Sequence, residues 1–245
     1  PHDDCVRAAV AGAERLEYPC PKPSKKRGVT IGIPRVLSFW ETMPFWGTFL
    51  RALGFDVVVS GKSTRNLYES GISAVTFDTV CFPAKLVHGH LRDLAAKHVD
   101  RIFMPVVTTV PSENREETSR SMCAVVKGYP LVVGNSDNPE KQWNIPYDNP
   151  MFHWYTPEDQ ERQLRRYMKE AFGIPGDETL RALHAARAAQ DAFHAALKEH
   201  GREVLDTVKR ENRFAVVLAS RPYQNDPLVN HELPELFAGM GIPVL

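Results

Sequence analysis

A cysteine, a lysine and a histidine share one stretch of the sequence, DTVCFPAKLVHGH at residues 78–90. Pro83 is best tolerated in the first turn of a helix, so we expect a helix to begin near Cys81. The free amides and the positive dipole end of that helix would stabilise a thiolate, the form of cysteine that binds metals or attacks electrophiles. Lys85 and His88 follow at four and seven residues and are expected on the same helix face, with His90 pointing roughly the opposite way.

Two other interpretations of Cys81 are consistent with the same residues. A lone cysteine among apolar neighbours is often only a small buried hydrophobic side chain. Cys81 could also act as a nucleophile with His88 as its base, but the two lie seven residues apart and the sequence offers no orienting acid.

A second group of polar residues lies near the end of the sequence. Arg221 follows an apolar run that is typical of a strand, and Asn225, Asn230 and His231 come shortly after it. An arginine in this place suits an anion or another ligand, and it equally suits a residue that stabilises the turn.

Composition excludes several classes of protein. The 245 residues are 43% hydrophobic and 24% charged, which is typical of a globular protein, and 30 basic residues balance 30 acidic ones. Because no net charge attracts a polyanion, we expect no nucleic-acid partner, and no apolar run is long enough to predict a membrane span. Four scattered cysteines without a CxxC pair suit a reducing cytoplasm, so we expect a cytoplasmic protein.

Short apolar runs alternate with helical patterns through the first half of the chain. We predict strands at 29–33, 55–59, 72–77 and 101–107, and this alternation is typical of an α/β fold with a doubly wound parallel sheet. Ligands of such sheets bind beyond the carboxyl ends of the strands. Cys81 would follow the third strand and Cys123 the loop after the fourth, so both thiols are expected at one crevice, although a spacing of 42 residues is not diagnostic.

The remaining segments complete a predicted domain plan. Residues 1–28, rich in proline and basic residues, are predicted to be an arm or linker, 29–157 the α/β domain, with 129–157 mostly irregular, and 158–212 a helical connection. Residues 213–245 are predicted to start a second α/β unit. One strand, one helix and one strand cannot cover both faces of a sheet, so we expect the natural protein to continue past Leu245.

Several of these segments together resemble one family over almost the whole stretch from Thr30 to Leu245. The chain resembles the acyl-CoA dehydratase activase-related proteins, which are found in activators of 2-hydroxyglutaryl-CoA dehydratase. The segments that carry the resemblance are IGIPRVL at 31–37, PFW at 44–46, LGF at 53–55, DTVCFPAKLVHGH at 78–90, GYP at 128–130, and RPY at 221–223 with Asn230-His231.

The resemblance implies Rossmann-like lobes and a [4Fe-4S] cluster held by cysteines, in an iron-sulfur electron-transfer module for ATP-dependent reductive activation or low-potential reduction. Cys81 and Cys123 match two cluster cysteines, with Lys85, His88, Arg221, Tyr223 and His231 as further cofactor-binding candidates. The implied partners are an ATPase activase domain, which has no counterpart in this chain, and 2-hydroxyacyl-CoA dehydratase subunits. A homodimer is compatible with the resemblance.

The chain departs from the family pattern at one important position. Pro105 is followed by Val106 where the family usually has a cysteine, so one expected thiolate is missing, and Ser220 replaces the glycine expected before the RPY segment. Two thiolates hold a [4Fe-4S] cluster poorly. Cys5 or Cys20 of the arm, or a partner, could supply the missing ligand. The alternative is a docking or structural domain without a cluster, which binds a partner domain or an acyl-CoA.

Overall fold

The computed structural model describes residues 25–110 and 121–245, and the expectations for Cys5, Cys20 and the rest of 1–24 lie outside the described residues. The secondary structure begins with a strand, a helix and a second strand, as the apolar pattern predicts. These elements are β1 (Thr30–Ile33), α1 (Phe39–Ala52) and β2 (Asp56–Val59). Helix α1 buries four aromatic residues, Phe39, Phe45, Trp46 and Phe49. Their rings fill the core, where Trp46 contacts Phe103, Phe152 and Trp154.

The crossover from β2 back to the sheet differs from the prediction. It contains α2 (Arg65–Gly71), a 3-10 helix (Ile72–Ala74) and α3 (Phe82–Ala96). The strand predicted at 72–77 is wrong: the segment leaves the 3-10 helix as an irregular loop, and its Phe77 is 64% exposed. Helices α2 and α3 pack directly against each other, so the chain between them reverses at the surface without reaching a sheet edge.

The strand predicted at 101–107 is divided in two. The remaining strands are β3 (Arg101–Phe103), β4 (Val106–Thr109), β5 (Tyr147–Asp148) and β6 (Met151–His153). Pro105 separates β3 from β4, since proline has no N–H to give to the ladder. Strands β2-β1-β3-β5 form a parallel sheet in that order, and β4-β6 form a parallel pair. The predicted α/β class with a parallel, Rossmann-like sheet is therefore confirmed.

The segment predicted to be irregular contains two helices, α4 (Ala124–Ser136) and α5 (Pro139–Trp143). Its glycine, proline and asparagine residues argue against a helix when they are judged one by one. Tertiary packing overrides that preference, because α4 buries Tyr129, Pro130 and Val133 in the core. The prediction for 129–157 was wrong for this reason.

The last third of the chain is mainly helical. Its elements are α6 (Pro157–Phe172), α7 (Gly176–Arg210), a 3-10 helix (Pro222–Asn225), α8 (Pro227–Asn230) and α9 (Leu233–Gly239). The apolar runs near 216 and 244 form one parallel bridge, Val216–Val244, with backbone hydrogen bonds on either side. The division of the chain into an arm, an α/β domain, a helical connection and a second unit stays a prediction. Within 25–110 and 121–245, no helix is both long and apolar enough to cross a membrane.

Candidate functional site

Each described cysteine occupies the residue just before a helix. Cys81 precedes α3 and is exposed, and Cys123 precedes α4 and is partly exposed. Helix α3 leads into β3, and α4 leads through α5 into β5. Since those strands are parallel to β1 and β2, both helices run against the strands and begin at the carboxyl end of the sheet. Both thiols therefore lie at that end, although Cys81 follows an irregular loop and not the predicted strand.

The pKa of Cys123 is lowered by its surroundings. The backbone N–H of Val126, in the first turn of α4, contributes most to the lowering, and that of Val125 adds to it. Burial opposes the lowering, whereas the positive charges of Arg221 and Lys127 support it. Cys123 is therefore more readily deprotonated than an ordinary cysteine, which favours metal binding or nucleophilic attack.

A third segment, the loop of Arg221 and Tyr223, reaches the same place. Burial raises the pKa of Tyr223, the negative charges of Cys123 and Cys81 raise it further, and Arg221 lowers it. A tyrosine that responds to both thiols lies within electrostatic reach of both. We call Cys81, Cys123, Arg221 and Tyr223 the thiol site.

Lys85 and His88 have contacts of their own beneath the thiol site. The Lys85 ammonium donates to the backbone oxygen of Asp78 at 2.8 Å, so it braces the loop that delivers Cys81. His88 is completely buried, with its Nδ1 2.7 Å from an oxygen of Asp137 and its Nε2 2.9 Å from the hydroxyl of Tyr129. Lys85 and His88, which the resemblance offers as cofactor-binding residues, therefore form hydrogen bonds with other groups of the protein.

The contacts of His88 join it to an ionised carboxylate and a tyrosine hydroxyl. Burial opposes a charge on Asp137, but hydrogen bonds from His88 and Arg92 hold the pKa of this carboxyl below its ordinary value. The ionised Asp137 accepts from Nδ1–H of His88, and Nε2 shares a hydrogen bond with the hydroxyl of Tyr129. This network joins α3 to α4, the two helices whose first turns adjoin the thiols. GYP at 128–130 was a sequence signal for Tyr129, whereas nothing in the sequence indicated Asp137.

His231 faces a different feature of the molecule. It is exposed and lines an open groove between α7 and the Val216–Val244 bridge, together with Leu197, Ser220 and other residues. Neither cysteine is among the residues that line this groove. Arg221 and Tyr223 lie within electrostatic reach of the thiols, whereas His231 lines a groove that neither thiol lines.

Of the four cysteines of the sequence, the described residues include Cys81 and Cys123. Val106, in the position where a cysteine was expected, is 2% exposed, and its N–H donates to the oxygen of Pro150 as part of the β4-β6 pairing. In the described part of the chain, no group of three or more His, Cys, Asp or Glu residues is placed to hold a metal ion. A [4Fe-4S] cluster normally has protein ligands on most of its irons, so Cys81 and Cys123 by themselves do not make a complete ligand set.

Comparison with known proteins adds one finding. A family model described as "CoA enzyme activase uncharacterised domain" matches residues 30–245. No curated protein and no solved structure matches the chain.

Proposed function

Since the chain belongs over residues 30–245 to the family described as CoA enzyme activase uncharacterised domain, we propose that it is the iron-sulfur electron-transfer module of such an activase, with Cys81 and Cys123 as thiolate ligands of a [4Fe-4S] cluster. One observation carries the proposal. Two cysteines 42 residues apart adjoin the first turns of two helices at the same end of the sheet. A negative charge on either cysteine raises the pKa of Tyr223. At Cys123 the helix amides favour the thiolate form that iron requires.

The residues around the thiols have separate tasks under this proposal. Arg221 adds a positive charge that stabilises the thiolate of Cys123, and Lys85 holds the loop before Cys81. The His88 network fixes α3 against α4 and thereby the separation of the two thiols. When bound, the cluster would supply one-electron transfer at low potential.

The remaining ligands come from outside the described residues under this proposal. Cys5 and Cys20 of the amino-terminal arm are the candidates within the chain, and a partner domain is the other source. The proposed partners are an ATPase activase domain and 2-hydroxyacyl-CoA dehydratase subunits. A homodimer is the alternative assembly, and light scattering before and after cluster loading would distinguish it from a monomer.

Iron and acid-labile sulfide per chain test the proposal directly. Protein purified and reconstituted without oxygen is expected to hold about four irons and four sulfides, with visible absorbance. Cys81→Ser and Cys123→Ser should each lose most of that absorbance while keeping the wild-type melting temperature. Thr79→Ala, an exposed change beside Cys81, is the matched control and should keep the absorbance. Iron retained in both cysteine variants would remove these thiols as ligands.

The arm is tested in the same assay. If Cys5 or Cys20 completes the ligand set, replacing it with serine should lower the iron content as far as Cys81→Ser does. If both replacements leave the iron content unchanged, the arm contributes no ligand and the remaining ligands come from a partner.

A second candidate function is supported by Val106. A fully buried apolar side chain at the expected ligand position favours a docking or structural domain without a cluster, which keeps the fold and binds a partner domain or an acyl-CoA. Protein that stays free of iron after reconstitution, and that still binds its activase partner in a pull-down from purified components, would support this candidate over the first.

A further inference from the structure

A buried chain of four polar side chains lies beside the thiol site and takes no part in it. Ser60, Ser63, His90 and Asp226 are each 9% exposed or less. His90 Nδ1 lies 2.7 Å from the hydroxyl of Ser60, and its Nε2 lies 2.9 Å from the hydroxyl of Ser63. Ser63 in turn donates to the Asp226 carboxylate. No prediction from the sequence included this chain.

The hydrogen bonds among the four side chains are donated in one consistent direction, from Ser60 toward Asp226. The one hydroxyl proton of Ser63 goes to Asp226, so Ser63 must accept from His90, and Nδ1 of the neutral ring is left to accept from the Ser60 hydroxyl, whose oxygen also accepts from the backbone N–H of Arg35 at 2.7 Å. His90 then carries its proton on Nε2 and donates to Ser63, and Ser63 donates to Asp226. In this series of hydrogen bonds, each of the four side chains has a partner. Removing any of the four therefore leaves a buried polar group without its hydrogen-bond partner.

The two ends of this hydrogen-bonded series, Ser60 and Asp226, belong to distant parts of the sequence. Ser60 directly follows β2 and Arg35 lies just beyond β1, so one end is attached to the carboxyl ends of the central strands. Asp226 forms the other end. Its N–H donates to the oxygen of Tyr223, and its Oδ1 accepts from Leu228 as the cap of α8. The hydrogen bonds from Ser60 to Asp226 therefore connect the turn that contains Arg221 and Tyr223 to the end of the sheet.

We propose that Asp226 is a positioning residue, which through Ser63 and His90 holds the turn of residues 221–226 at the carboxyl end of the sheet and so presents Arg221 and Tyr223 to the two thiols. The 3-10 helix of this turn also packs against α1. Among the described hydrogen bonds, the buried ones that join the turn to α3 pass through Asp226 and Ser63 to His90. The inference rests on the proposed function only for assigning Arg221 and Tyr223 to the thiol site.

Hydrogen exchange on the full chain, without metal, tests the anchoring. Ser63→Ala leaves the Asp226 carboxylate and His90 Nε2 without their shared partner, so exchange at the amides of Asp226 and Asn230 should become about tenfold faster. Amides of β1 and α3 should not change. Thr156→Ala removes the capping hydroxyl of α6 and is the matched control, with no expected effect on residues 221–231. Unchanged exchange at 221–231 in Ser63→Ala, or equal acceleration throughout the protein, would overturn the proposal.

A photocrosslink tests the positioning itself. With the photoreactive p-benzoylphenylalanine in place of Tyr223, irradiation should join residue 223 to peptides that contain Cys81 or Cys123. Asp226→Asn presents an amide N–H₂ to Ser63 where an acceptor is needed, so most of these crosslinks should disappear, and they should persist with Thr156→Ala. Crosslinks that survive both Asp226→Asn and Ser63→Ala would show that Asp226 does not position the turn. Because the protein is free of metal, this result does not depend on whether a cluster binds.

Discussion

His88 and His90 are separated by one glycine on α3, yet their buried rings belong to two different networks. His88 joins α3 to α4 through Tyr129 and Asp137, whereas His90 joins α3 to the ends of β1 and β2 through two serines. The helical spacing predicts that these rings point in roughly opposite directions, and they do. The acids and hydroxyls that meet them come from other parts of the chain, so the sequence could not assign either ring a partner.

Stability at acidic pH should depend on His90. Burial lowers the pKa of His90 from 6.5 to about 3 in the folded protein, and Arg35 and Lys97 support the lowering against Asp93. A group with a depressed folded pKa stabilises the fold above its unfolded pKa and loses that contribution as pH falls toward the folded value. The free energy of unfolding should therefore drop between pH 6.5 and about 3, by up to about 1.4 kcal/mol per pH unit.

Urea unfolding of wild type and His90→Gln across this range is the measurement. Glutamine can hydrogen-bond to the two serines but does not titrate, so the difference between the two proteins should shrink as the pH falls. If the two curves of unfolding free energy run parallel from pH 7 to pH 4, burial of neutral His90 does not govern acid stability.

At the scale of elements, glycines let the backbones of α2 and α3 pack directly against each other. A Cβ added to Gly89 would lie 2.1 Å from the backbone oxygen of Leu67, and one added to Gly71 would lie 2.3 Å from the backbone nitrogen of Gly89. The glycine between the two histidines is therefore required by helix packing. This close contact also explains why residues 72–80 loop back at the surface.

Gly89→Ala should destabilise the protein by about 3 kcal/mol, because the added carbon meets backbone that cannot move aside cheaply. Gly128→Ala is the matched control. It also lies inside a helix, no atom lies within 4 Å of the added carbon, and alanine should stabilise α4 by about 0.5–1 kcal/mol. Chemical denaturation compares the two variants, and a Gly89→Ala protein as stable as wild type would contradict the packing argument.

At the scale of the whole molecule, α7 packs along α1 and forms hydrogen bonds with it beside a proline. Pro44 lies inside α1, and next to it Gln190 from α7 inserts its side-chain amide into the helix. The Gln190 oxygen accepts from the N–H of Phe45 at 3.2 Å, and its nitrogen donates to the oxygen of Glu41 at 3.0 Å. One side chain thus replaces the helical hydrogen bond between residues 41 and 45.

Gln190→Ala should cost about 2 kcal/mol of unfolding free energy, since it leaves the N–H of buried Phe45 without its partner. Gln142→Ala, on the exposed side of α5, should change the stability by less than about 0.5 kcal/mol. The midpoint of urea unfolding measures both. Equal midpoints for the two variants would mean that the insertion contributes nothing to the attachment of α7.

The sequence by itself determined the features that depend on neighbouring residues. The alternation of apolar runs and helical patterns predicted the parallel α/β fold. Pro83 predicted a helix that begins near Cys81, and α3 begins at Phe82, because the effect of a proline is confined to its own turn of the chain. The same local rules failed at 72–77, where an apolar run is not part of a strand, and at 129–143, where packing stabilises helices against their composition.

Only the tertiary structure decided which groups meet. Asp137 beside His88, Asp226 beside Ser63 and Gln190 inside α1 are contacts between residues 49, 163 and 145 positions apart. Polar side chains of this kind carry no periodic signal, and a buried hydrogen bond is specified by the direction of two groups in space and not by their order in the chain. The thiol site follows the same rule: cysteine chemistry can be read from the sequence, whereas the place where two thiols, Arg221 and Tyr223 meet is set by the sheet that gathers their loops.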